Sequence, residues 1–155
     1  MAEVHVGDQI VRYDREATAA IYAGLKGGWA ESCLCVGCRN LMAQREVIYP
    51  PASRELLDRL GIDSNKEAEA VADGPLANGL HHYGGWFFFV GEMISARGMP
   101  VTDGPHFEFS ITRGGPCPKA FRELPHLAVE FEAQLRWALP EYWDSDSRPA
   151  KRTLP

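Results

Sequence analysis

One run near the C-terminus limits the fold of this chain more than any other feature. From Leu127, every second residue is apolar: Leu127, Val129, Phe131, Ala133, Leu135, Trp137 and Leu139. Ala128, Glu130, Glu132, Gln134, Arg136 and Ala138 lie between them, and Pro125 and Pro140 bracket the run. A period of two gathers the large apolar groups on one side of a β-strand, whereas a helix would scatter them round its axis. A half-buried strand needs partners, and the sequence supplies them. His106 to Arg113 alternates in the same way, with Phe107, Phe109 and Ile111 inward. Trp86-Phe87-Phe88-Phe89-Val90 is apolar on both faces, as a covered central strand would be. Asn78-Gly79 upstream is a type I′ hairpin signal, so residues 67–73 are predicted to pair with residues 80–90. Gly84-Gly85 within that strand predicts a bulge or a close backbone approach. Glu3 to Tyr13 is predicted to form a first strand.

Helices belong to the first half. Asp14 is placed to cap Arg15 to Leu25, where Ala17, Ile21 and Leu25 recur every fourth residue and Gly27-Gly28 follows. Pro51 to Leu60 has proline at its first position and Gly61 after its last, the latter suited to a left-handed cap with Ile62 folding back on Leu57. A further helix is expected over Gly37 to Val47. The predicted architecture is α+β: an antiparallel sheet of about five strands, mostly from the C-terminal half, with N-terminal helices packed on one face. Residues 1–140 are expected to form a single domain, a size that buries enough surface to fold without a disulfide scaffold. Residues 141–155 read as a polar, flexible tail.

Charge and hydropathy narrow the partners. With 21 acidic against 16 basic residues, the chain is a poor match for nucleic acid in general or for anionic membranes. No apolar run approaches the ~20 residues of a membrane span, and the N-terminus does not read as a secretory signal. The expectation is a cytoplasmic protein whose partner is another protein.

The chemical signal is a cysteine cluster. Cys33, Cys35 and Cys38 fall in the run Cys33-Leu34-Cys35-Val36-Gly37-Cys38, and the fourth cysteine, Cys117, lies in Gly114-Gly115-Pro116-Cys117-Pro118. In a reducing compartment such spacing favours metal ligation or redox chemistry over structural disulfides. A Cys-x-x-Cys turn lets two thiolates face one ion, and zinc wants four ligands in a tetrahedron. Cys33 or Cys117 could complete a four-sulfur zinc site with Cys35 and Cys38, and so could one of the histidines His5, His81, His82, His106 and His126, with His81 and His82 singled out. The alternatives are buried unliganded thiols or a thiol oxidoreductase using Cys35 and Cys38 at a helix start beside Arg39. Against the redox reading, Gly27 to Ser32 is no strand, so the βαβ context of a thioredoxin-like site is missing. Arg39-Asn40, directly after the cysteines, reads as an anion-binding pair or as hydrogen-bonding support for the ligands. A third site, with His106 and Glu108, Glu130 or Glu132 converging for acid–base work, would need the last two strands to be neighbours. No nucleophile elbow, phosphate loop, dinucleotide fingerprint or His-Glu-x-x-His is present, and a binding protein is favoured over an enzyme.

Four motifs carry a family resemblance: Cys35-Val36-Gly37-Cys38-Arg39-Asn40, Tyr49-Pro50-Pro51, Leu60-Gly61-Ile62-Asp63 and Tyr83-Gly84-Gly85-Trp86-Phe87. Over most of residues 9 to 139 the chain resembles a family of uncharacterised bacterial proteins of similar length. The resemblance implies a bacterial, cytosolic setting and transfers no functional residue.

Overall fold

The computed structural model describes residues 1–95 and 98–143. The chain opens with a hairpin, β1 (Ala2–Val6) and β2 (Gln9–Tyr13), rather than the single strand predicted there. Gly7, at φ +60°, supplies the left-handed turn residue that breaks the run in two. Next come α1 (Arg15–Gly24), α2 (Trp29–Cys33), α3 (Val36–Ala43), α4 (Arg45–Ile48) and α5 (Pro51–Leu60). The strands β3 (Glu69–Pro75), β4 (His81–Ser95), β5 (Val101–Thr102), β6 (Phe107–Thr112) and β7 (His126–Leu135) complete the fold, with a 3₁₀ turn at Lys119–Phe121.

All strands join one antiparallel sheet in the order β1-β2-β4-β7-β6-β5, with β3 also paired to β4. The architecture is the predicted α+β one, but the strands among the described residues number seven, because β1 separates from β2 and the short edge strand β5 adds to β6. β4 holds the sheet together. Its residues 81–90 pair with β7, its first half also pairs with β3, and its last five residues pair with β2. Alternation puts Tyr83, Phe87 and Phe89 towards the helices, where they are fully or almost fully buried. Tyr49 stands edge-on to Phe87, Phe107 and Phe131 at 5.4–5.9 Å, and Leu56, Leu57 and Leu60 of α5 cover the same layer. Phe88 on the opposite side is sealed by Phe121 of the 3₁₀ turn.

Several local expectations hold. Asp14 accepts from Ala17 N at 2.9 Å to start α1. Gly61 closes α5 at φ +81°, and Ile62 N donates to Leu57 O. Gly85 is a close approach, since a Cβ there would lie 2.7 Å from Phe131 Cζ, while the register shift falls at Ala72/Gly74 instead. Others change. The β3–β4 turn spans Leu76 to Leu80, with only Gly79 at positive φ, so it is longer than a two-residue type I′ turn. The predicted helix 37–47 breaks at Gln44 (φ −118°, ψ 9°), whose side chain reaches Asn40 O and Arg136 O. β7 stops at Leu135, because those Asn40 and Gln44 amides take Arg136 O where a ladder bond would have continued. Of the segment read as a tail, Glu141 pairs with Arg39 and Trp143 rests against Gly37 and Gly74; residues 144–155 lie outside the described residues.

Candidate metal centre

The cysteines sit where α2 turns into α3, and this corner is built from the sequence around it. α2 is only five residues long and would not stand alone. Glu31, its third residue, accepts from Gly28 N, a local cap. The rest of its support comes from Glu67, just before β3. Glu67 O accepts from Trp29 N at 2.9 Å, and its Oε1 accepts from Ala30 N at 2.8 Å. Arg45 binds both Glu67 oxygens at 2.9 and 3.0 Å and also holds Glu31. Burial pushes the Glu67 carboxyl up, and the Ala30 N–H and the Arg45 guanidinium work against that push. Gly28 has to be glycine, because a Cβ would lie 2.9 Å from Asn65 O, Glu67 N and Glu67 Oε1.

Leu34 then turns the chain. It is the one non-glycine residue with positive φ among those described (φ 57°, ψ 14°), and it is 58% exposed. A left-handed leucine costs roughly 1–2 kcal/mol. The turn leaves Cys33 at the end of α2 and makes Cys35 the cap of α3, its Sγ accepting from Cys38 N at 3.4 Å. The Sγ atoms of Cys33, Cys35 and Cys38 all lie within 4.8 Å of one another. Cys38 is buried; Cys33 and Cys35 are half-buried. Burial, reinforced by the neighbouring Cys35 sulfur, holds the Cys38 thiol far above its ordinary value, and burial raises Cys33 as well. A bound cation would reverse that balance by supplying the charge that three clustered thiolates require.

The residues after the trio fasten it to the sheet. Gly37 lets α3 meet β3, since a Cβ there would lie 2.6 Å from Ala72 Cβ and 3.2 Å from the Trp143 ring. Tyr83 Oη donates to Gly37 O. Asn40, fully buried, donates to Tyr83 Oη and Arg136 O and accepts from Ala138 N. Arg39 pairs with Glu141 at 2.8 Å. Both residues predicted to support the ligands or hold an anion therefore tie α3 to the segment that follows β7.

Among the described residues, the group of ligand atoms within 4.8 Å of one another does not include the remaining predicted ligands. Cys117 lies in its own loop with Sγ 3.3 Å from Pro118 O; burial raises its thiol, while Arg122 pulls it back. His81 is 7% exposed and lies against Trp137 (4.6 Å between rings) and Trp143 (5.7 Å). Its Nδ1 has no hydrogen-bond partner among the described residues, and burial lowers its pKa. His82 faces the other side of the sheet, with Nδ1 2.7 Å from Asp73 and Nε2 3.5 Å from Glu132. β6 and β7 are neighbours, with Glu108 directly opposite Glu132 and Ser110 opposite Glu130. His82, His106, Glu108 and Glu132 line a shallow depression of about 200 Å³, and Glu130 binds Thr112 Oγ1. That depression lies on the solvent face, where water screens these charges.

Sequence reasoning missed Glu67, Arg45, Leu34 and Trp143. Only Glu31, three residues after Gly28, carried a local sign of α2. Among the described residues no helix is long and apolar enough to cross a membrane. Set against models of known families, curated proteins and solved structures, the chain matches none.

Proposed function

We propose that this chain is a binding protein of the bacterial cytosol, without catalytic activity, in which Cys33, Cys35 and Cys38 hold a thiophilic metal ion, zinc by preference. The observation that carries the reading is the mutual approach of the three sulfurs to within 4.8 Å on a backbone already turned by Leu34. Residues so arranged suit an ion whose bonds to sulfur run about 2.3 Å. The Cys38 N–H that points at Cys35 Sγ offers the hydrogen bond that a ligating sulfur needs from its surroundings. The ion would brace α2 against α3 and, through Gly37 and Tyr83, against β3 and β4. The reading as a thiol oxidoreductase is weaker. The motif follows the short helix α2 and not a β-strand, so the strand-to-helix setting of a thioredoxin-like site is missing.

Metal analysis tests the proposal. Protein purified without chelator is expected to carry close to one equivalent of zinc, and Cys38→Ser to carry little. Less than about a tenth of an equivalent in the wild-type chain, both as purified and after reconstitution with zinc, would remove the metal claim.

A further inference from the structure

The three sulfurs come from one run of six residues and lie within 4.8 Å of one another. Among the described residues, the close group of ligand atoms holds these three sulfurs and none of the other donors considered for a fourth place. Cys117 Sγ is bound to Pro118 O, His81 lies against two indole rings, and His82 is held between Asp73 and Glu132. Zinc sites that serve only structure fill all four positions from protein, whereas those with three protein ligands keep the fourth for solvent or an incoming molecule. Access also favours an open position. Cys33 and Cys35 are half-exposed, and between them the strained Leu34 presents a 58% exposed apolar side chain. Strain held at the mouth of a site is a feature of ligand clamps. A metal chosen by three thiolates is soft, and its open position prefers another sulfur over oxygen.

We infer that the cysteine centre is an open site whose fourth position takes a small thiol from solution. This rests on the metal-binding reading above. Binding is a ligand exchange: a metal-bound water leaves, the thiol sulfur takes its place, and the thiol proton passes to solvent. No group is oxidised or reduced. Leu34 would meet the carbon chain of the thiol, so thiols with an apolar body are expected to bind more tightly than charged ones.

Cobalt(II) makes the site visible. The full chain, stripped of metal and kept reduced by a phosphine, is titrated with cobalt(II), and 2-mercaptoethanol is then added. The expected result is saturation near one equivalent with the absorption of tetrahedral, sulfur-bound cobalt, followed by a saturable shift of those bands with thiol. Cys117→Ser and His81→Phe should leave both steps unchanged, and Cys33→Ser should abolish the first. A cobalt spectrum indifferent to thiol, or bands that vanish instead of shifting, overturns the inference while leaving the metal reading intact. So does a spectrum altered by Cys117→Ser, by His81→Phe or by Asp144→Asn with Asp146→Asn, because the fourth ligand would then come from the chain. No cobalt binding at all removes both readings.

Discussion

Replacing Glu67 with alanine tests whether the cysteine corner depends on a buried ion pair from a distant part of the chain. The Glu67 side chain is fully buried and that of Arg45 is 12% exposed. The carboxylate accepts from Ala30 N at 2.8 Å and from Arg45 Nη2 at 2.9 and 3.0 Å. Glu67→Ala removes all three contacts, leaving the Ala30 N–H without its acceptor. Breaking a buried pair by deleting one partner costs about 3–5 kcal/mol. Arg45 keeps Glu31, so the lower end applies, about 3 kcal/mol, or roughly a hundredfold in the folding equilibrium. Urea unfolding of metal-free protein measures this without linkage to a bound ion. A double variant, Glu67→Met with Arg45→Met, should recover most of the loss, because an apolar pair of similar volume leaves no charge stranded. Cys33 lies at the far end of α2, so Glu67→Ala should also weaken metal binding. A loss below about 1 kcal/mol, or a double variant as unstable as the sum of the singles, would refute the reasoning.

Leu34 and His81 give two further expectations. Leu34 is at φ 57° and largely exposed, so Leu34→Val loses no core contact but puts a β-branched residue in a left-handed turn. It should destabilise the turn beyond leucine and loosen metal binding, whereas Leu34→Gly, which relieves roughly 1–2 kcal/mol of left-handed strain against about 1 kcal/mol of added chain entropy, should be no less stable than wild type; a chelator competition in which the valine variant holds zinc as tightly as wild type would count against the turn. Burial lowers the His81 pKa, so as pH falls through the ordinary histidine value near ~6.5 the unfolded chain takes up a proton before the folded one does. Stability is then full above that value and declines as pH drops below it. His81→Phe should flatten the fall in urea midpoint between about pH 7.5 and about pH 5.5, and parallel curves for the two proteins would show that His81 does not drive it.

What could be read from sequence was local. α5 was legible residue by residue, because Pro51, Gly61 and Ile62 each act within one turn of their neighbours. β7 was legible from Leu127 to Leu135 because alternation is a local record of which face is covered. It failed from Arg136 onward, where Asn40 and Gln44, over 90 residues earlier, take the carbonyl that would have extended the ladder. α2 was missed for the same reason: its start is fixed by Glu67 and Arg45, and nothing in Trp29 to Cys33 announces them. The approach of Cys33, Cys35 and Cys38 was legible because six residues span it. Whether Cys117 joins them depends on how the loop after β6 crosses the sheet, which spacing along the chain does not encode.

The same contrast explains why the cysteine corner needs an explanation beyond packing. Buried thiols alone would favour a relaxed helix with each sulfur among apolar side chains. Here the backbone takes a left-handed leucine, and two short helices meet where one continuous helix would have spread the sulfurs round its surface. Arg45 and Glu67 are committed beneath the first helix, and Asn40 and Tyr83 beneath the second. Each device fixes a sulfur-bearing turn, and Cys33 and Cys35 stay half-exposed. A corner held this firmly around three clustered sulfurs is stabilised when a cation offsets the repulsion between their thiolates, because binding free energy at a preformed site adds to folding free energy. Removing the ion should therefore cost most where the strain is stored. α2 and Leu34 should open in hydrogen exchange while β4 and β7 stay protected, and equal protection of the corner in metal-free and loaded protein would contradict that coupling.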